Sequence, residues 1–106
     1  MRIAFATSDG VHLDEQVRRA SRLDVFDLGP GGAHLRETHT FPVDRAVKTE
    51  ARVRAIAGAK VVFGTAFSPS AAVRIASHGI HPATAPRGTP ISELLERLTG
   101  NDTGTP

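Results

Sequence analysis

Residues 60–84, "KVVFGTAFSPSAAVRIASHGIHPAT", constrain the fold more than any other stretch of the chain. "KVVFG" is short, β-branched and continuously apolar, the composition of a strand buried on both faces, and it is the candidate central strand. The segment after it carries helix punctuation at both ends. Ser68 stands as cap, Pro69 occupies the first helical position, Ala72, Ile75 and Ala76 face inward, and Gly79 terminates. "IHPAT" follows as a second short strand. Strand, helix and strand in succession form a right-handed parallel crossover, so the chain is expected to be an α/β protein.

The remaining segments complete the sheet. "RIAFA", Arg2 to Ala6, is a strand candidate, and "TSDG" after it is turn chemistry. Asp14 is placed to cap a brief helical turn over "EQVRRAS", with carboxylates early and arginines late as the helix dipole prefers. Leu23 to Leu28 and His34 to Phe41 flank "GPGG" and read as a β-hairpin. Ala46 to Ala57 has Val53, Ile56 and Ala57 on one face, a Glu50–Arg54 pair at i,i+4 and Gly58 as a stop, which predicts a helix. "TPISELLERLTG" repeats the Thr/Pro start and sets Ile91, Leu94, Leu95 and Leu98 at helical spacing. The expected architecture is a five-stranded mixed sheet in the order 3-2-1-4-5, its second strand antiparallel to the rest. Residues 1–99 form one domain, and 100–106, ending in "NDTGTP", form a flexible tail.

Composition narrows the function classes. At 106 residues the chain has room for one core and one site. It has no cysteine, which removes disulfides, thiolate nucleophiles and iron–sulfur ligation by thiolates. A metal must be met by His, Asp, Glu or backbone. No apolar run approaches the ~20 residues of a membrane span, and the amino terminus lacks a secretory signal, so the expected location is the cytoplasm. Net charge is only +2, with neither Trp nor Tyr, which argues against nucleic-acid binding.

In a sheet of this order a crevice opens beyond the carboxyl ends of the first and fourth strands. The loop "TSDGVH" and the loop "GTAFS" leading to Ser68 meet there, and the helix amino terminus at Ser68 favours an anion. His12 lies at the crevice. His39 emerges on the same edge two strands away, whereas His78 and His81 fall at the opposite end and His34 in solvent. From the residues alone, His12 reads as a solvated imidazole before it reads as a ligand, and Arg18, Arg19 and Arg22 as a solvated helix face. Asp9, Asp14 and Glu15 share a loop but lack calcium-loop spacing. Ser8, Ser68 and Ser70 have no glycine-flanked elbow, so the residues give no support for an enzyme.

"RIAFATSDG", "VHLDE", "VVFGTAFSPSAAVRIASHGIHP" and "GTPISELLERL" together resemble the dinitrogenase iron–molybdenum cofactor biosynthesis family, the NifX-like proteins. The resemblance spans Met1 to about Thr99. It implies a ribonuclease H-like three-layer fold without nuclease activity. It further implies a non-enzymatic carrier of the iron–sulfur precursor or the finished iron–molybdenum cofactor, working with nitrogenase cofactor-assembly proteins. Where the family shows D-x-H-F-G, this chain reads Asp14, Glu15, Gln16, Val17, Arg18, so Gln16 replaces the histidine. His12, four residues earlier, is then the imidazole nearest that position, with Arg18 and Arg19 as a cationic rim. The residues nominated for cofactor contact are Ser8, Asp9, Gln16, Arg18, Arg19 and Ser68, with His12 and His39 as metal ligands. Two alternatives stay open: a cluster-free adaptor that binds an assembly protein, and an enzyme for a phosphorylated substrate seated at Ser68.

Overall fold

Ile3 to Thr7 are all buried, and their alternation divides the molecule into two cores. In a strand successive side chains point to opposite faces. Ile3 and Phe5 enter one hydrophobic cluster, and Ala4 and Ala6 the other. The large residues fill the face covered by a single helix, and the alanines let two helices approach the other.

The computed structural model describes residues 1–42 and 47–100. In chain order the elements are β1 (Arg2–Thr7), β2 (His12–Leu13), a 3-10 turn (Val17–Arg19), β3 (Arg22–Gly29), β4 (Gly32–Thr40), α1 (Thr49–Ala55), β5 (Val61–Gly64), α2 (Pro69–Ser77), β6 (His81–Thr84), β7 (Thr89–Pro90) and α3 (Ile91–Gly100). The main sheet runs β4-β3-β1-β5-β6. β3 is antiparallel to both its neighbours, while β1, β5 and β6 are mutually parallel. Val53 and Ile56 of the α1 segment and Ile75 of α2 pack with Ala4, Ala6, Leu23 and Val62 on one face. Ile91, Leu94 and Leu95 of α3 pack with Ile3, Phe5 and Leu13 on the other. There the Phe5 ring stacks on Phe63 at 5.3 Å and meets Phe26 edge-on at 5.7 Å.

Several local expectations change. β1, not "KVVFG", is the middle strand; β5 lies beside it, between β1 and β6. The segment capped by Asp14 is only a 3-10 turn preceded by Gln16, because the Asp14 carboxylate reaches back to Ser8 instead. The helix expected from Ala46 begins at Thr49, and Ala46 itself lies outside the described residues. Its buried face is Arg52, Val53 and Ile56, leaving Ala57 exposed. On α2 the inward residues are Ala71 and Ile75, with Ala72 half-buried and Ala76 exposed. The Ser68 cap is present, its Oγ accepting the Ala71 N–H at 3.2 Å, and Gly79 takes the terminating φ of +75°.

Thr89 and Pro90 do not cap α3. They form β7, which pairs antiparallel with His12–Leu13. The pairing is extended by Gly88 N–H to the Leu13 carbonyl and Ile91 N–H to the Val11 carbonyl, both 2.8 Å. A second, two-stranded sheet thus clamps the loop after β1 to the start of α3. α3 runs through Gly100, and of the expected tail 101–106 lie outside the described residues. No described helix is long and apolar enough to cross a membrane.

Two substitutions calibrate this packing. Phe5→Ala removes a fully buried ring from the three-phenylalanine stack and is expected to cost about 3–5 kcal/mol, whereas Ser68→Ala removes one cap and costs about 1 kcal/mol. Urea unfolding of both variants checks the ranking, and equal losses would refute it.

Candidate functional site

The polypeptide leaves β1 through a loop whose polar groups are mostly spent on one another. Thr7, fully buried, donates its Oγ1–H to the His12 carbonyl at 2.6 Å and accepts the Gly10 N–H at 3.0 Å. Asp9 Oδ1 accepts the N–H groups of Val11 and His12, each at 2.8 Å. Its Oδ2 lies 2.8 Å from His12 Nδ1. These bonds hold the Asp9 carboxyl well below the usual carboxylate range, the His12 side chain contributing most and the two N–H groups next. Facing an ionised carboxylate, Nδ1 carries the proton, and in the neutral ring the lone pair is left on Nε2. The His12 side chain is 46% exposed.

Beyond His12 the chain turns under the carboxyl ends of the parallel strands. Asp14 accepts both the N–H and the hydroxyl of Ser8. Glu15 is fastened twice: its carbonyl accepts the Thr65 N–H at 3.0 Å, and its carboxylate accepts the Ser21 N–H at 2.6 Å. Between these anchors opens a cleft of about 220 Å³ lined by Asp14, Glu15, Gln16, Arg19, Thr65 and Arg87. Its walls follow β1, β5 and β6, which is the position where the sheet reverses its order of connection.

The nominated residues are therefore divided. Gln16 and Arg19 line the cleft. Arg18 stands behind Gln16, its Nε donating to Oε1 at 3.1 Å. Ser8 and Asp9 stabilise the loop from within, and the Ser68 hydroxyl caps α2 rather than facing the cleft. His39 sits opposite Leu23, which is opposite Ala6, so it shares the expected edge. It lies two strands away, with Nε2 3.1 Å from Glu37. Among the described residues no three His, Asp or Glu side chains assemble into a metal site.

Sequence reasoning missed Thr65, Arg87 and the role of Arg22. Arg87 is carried on the turn Pro86–Thr89, closed by a 3.1 Å bond and a φ of +91° at Gly88, and "PRG" is the signal that marks such a turn. Arg22 makes a two-point ion pair with buried Asp24, at 2.8 and 3.1 Å, and its guanidinium covers Gly10. A Cβ at Gly10 would lie 2.5 Å from Arg22 Nη2. Glycine is favoured there by its φ of +76°, and a side chain would also displace the Arg22 guanidinium from above the loop.

Larger grooves, of about 570 and 660 Å³, run along the outer sides of α1 and α2. On their shared wall Glu50 pairs with Arg54, Arg74 and His78 at 3.0–3.2 Å, and these partners, Arg74 foremost, lower its pKa. His78 also closes the end of α2, and His34 and His81 are exposed.

Comparisons with known proteins agree with one another. A family model described as "Dinitrogenase iron-molybdenum cofactor" matches residues 1–101. The chain is 30% identical to the protein NifX of Herbaspirillum seropedicae, covering all of this chain and 76% of that one. It is 29% identical to NifX of Rhodobacter capsulatus, over all of this chain and 72% of that one. Among solved structures, the apo orange protein of Desulfovibrio gigas superposes with a TM-score of 0.70 at 18% identity, over 99% of this chain and 90% of that one, a likeness of fold.

The first loop carries a pH signature. Because Asp9 is held below its ordinary value of 3.8, its bonds stabilise the fold fully above that value, and the contribution is lost as pH falls through the lower folded value. The Val11 and His12 amide resonances are expected to show no carboxylate titration between about pH 6 and pH 4. An Asp9 midpoint at the ordinary value would contradict the bonding described.

Proposed function

The chain belongs to the dinitrogenase iron–molybdenum cofactor family, and on that premise we propose that it is a non-enzymatic, cytoplasmic carrier of metallocluster cargo in the assembly of that cofactor. The cargo is the iron–sulfur precursor or the finished iron–molybdenum cofactor, received from one assembly protein and passed to another. The observation that carries this reading is the Asp9–His12 pair. A carboxylate that accepts the Nδ1–H hydrogen bond orients the ring and fixes the tautomer that leaves the lone pair on Nε2, the arrangement found behind metal-binding histidines. One imidazole on an exposed loop is a ligand that can be exchanged. Arg18 and Arg19 follow within seven residues and supply positive charge for an anionic cluster. His39, held at Glu37 two strands from β1, has no part in this reading.

The fold assignment belongs to the same proposal. Counted within the main sheet, the strand order is 3-2-1-4-5 with the second strand reversed, and helices lie on both faces. That supports the ribonuclease H-like, three-layer description. A second reading, the cluster-free adaptor, is favoured by Gln16, an amide where the family resemblance implies imidazole and whose Oε1 is engaged by Arg18.

Anaerobic titration with isolated nitrogenase cofactor precursor, followed by gel filtration and iron and molybdenum analysis of the protein peak, tests the carrier reading. Metal is expected to co-elute with the unmodified protein and to be lost in His12→Ala. Asp9→Asn is expected to weaken retention about 10- to 100-fold, the usual cost of removing the group behind a ligand. Absence of co-eluting metal would replace the carrier with the adaptor.

A further inference from the structure

Eight of the arginines in the described residues have partners. Arg2 and Arg36 pair with Asp27, Arg22 with Asp24, Arg54 and Arg74 with Glu50, and Arg97 with Glu93. Arg18 donates to Gln16, and Arg52 to the carbonyls of Ala20 and Val47. Arg19 and Arg87 are the two that remain, and both line the same cleft. They reach it from turns far apart in sequence, one following β2 and the other following β6, which the β2–β7 pairing brings together. An arginine on open surface is commonly solvated alone. Two that converge in a concavity, when every other arginine described is bonded, give that concavity the chemistry to hold an anion.

The two carboxylates on the wall do not supply it. Asp14 is occupied by Ser8, and Glu15 by Ser21. Glu15 also faces the buried Arg52, which it stabilises as a cation. The neutral lining groups are suited to donate. Gln16 is fixed by Arg18 at its oxygen, which leaves its NH₂ free of that contact, and Thr65 contributes a hydroxyl.

We propose that this cleft is a seat for a small, multiply charged oxyanion, gripped by the guanidinium forks of Arg19 and Arg87 with Gln16 and Thr65 donating between them. A planar fork presents parallel N–H groups, so its ligand carries at least two oxygens per fork, as a tetrahedral oxyanion or a short polycarboxylate does. The cleft of about 220 Å³ admits a few heavy atoms and excludes an extended polyanion. The seat is separate from the His12 imidazole, which is outside the cleft lining, but it shares Arg19 with the carrier reading, and its test uses the small anions alone.

Calorimetric titration of the purified protein with sodium molybdate and, separately, with sodium citrate at constant ionic strength tests the assignment, together with amide chemical-shift mapping. One-to-one saturable binding of at least one of them is expected, with shifts confined to residues 14–19, 65 and 86–88. Molybdate alone would identify a tetrahedral oxyanion, and citrate alone a carboxylate ligand. Arg87→Gln, on an exposed turn, is expected to weaken binding about 10- to 100-fold, the worth of a charge-assisted hydrogen bond. Arg97→Gln removes the same charge from α3 and is expected to change it less than about twofold. The assignment is overturned if neither anion saturates, or if Arg97→Gln weakens binding as much as Arg87→Gln does. Both outcomes are independent of whether metal co-elutes in the carrier experiment, so the two readings fail separately.

Discussion

One backbone hydrogen bond, from the Thr65 N–H to the Glu15 carbonyl, sets the geometry on which the site depends. It joins the loop after β1 to the loop after β5 at the place where the chain leaves two adjacent parallel strands for different destinations. The bond requires the two backbones to come close. Gly64 lies beside this bond, where a Cβ would crowd the Phe67 ring at 3.2 Å and stand in ordinary contact with the Glu15 carbonyl at 3.5 Å. With the Glu15 carboxylate tied to Ser21 as well, the intervening residues Gln16 to Ala20 are spanned between fixed points and cannot fold back into the cleft. The opening exists because its edge is stitched.

Charged residues act as struts beneath that edge, which is why counting them says little about function. Arg52 is buried on α1, donating to the Ala20 and Val47 carbonyls while its guanidinium lies 5.0 Å above the Phe41 ring. Burial lowers its pKa, and the nearby Glu15 charge offsets part of that, but a guanidinium so far above neutrality stays ionised. It ties α1 to the end of the 3-10 turn that carries Arg19. On the opposite face the Arg22–Asp24 pair supports Gly10 and so the first loop. Removing one partner of a buried pair leaves the other charge uncompensated, at a cost of about 3–5 kcal/mol. These arginines are part of the scaffold, whereas Arg19 and Arg87 face outward from it.

The sheet was legible where local chemistry and periodicity agreed. Ser68, Pro69 and Gly79 marked α2 because capping is a local effect, and "GPGG" marked the hairpin because its glycines answer a local backbone demand, with Gly32 at φ +104°. The clamp between His12–Leu13 and Thr89–Pro90 was not legible, since two-residue strands have no period to detect. The same limit misassigned Thr89 and Pro90 as a helix start. Asp14 has the chemistry of a cap, yet Ser8 competes for its carboxylate through a contact that only the folded loop creates. Arg52 breaks the apolar stripe expected of α1, and nothing local announces that its stem and head are buried against carbonyls. Gln16 and Arg19 were named from the first loop alone; Thr65 and Arg87 required knowing which turns the sheet brings together.

This division of labour separates stability from affinity. Thr7, Asp24 and Arg52, the buried polar groups, hold the loop in place, and their bonds are satisfied internally. His12, Arg19 and Arg87, the groups that face a ligand on the proposed readings, are exposed and contribute little packing. A preorganised loop reduces the ordering cost of binding, so a few contacts can suffice. For a carrier that economy is useful in both directions. One exchangeable imidazole and a small number of charge-assisted hydrogen bonds, each worth about 1.5–3 kcal/mol, hold a cargo without the multidentate grip that would oppose its transfer. On the proposed carrier reading, the rigid part of the molecule fixes where the cargo sits, and the exposed part sets how readily it leaves.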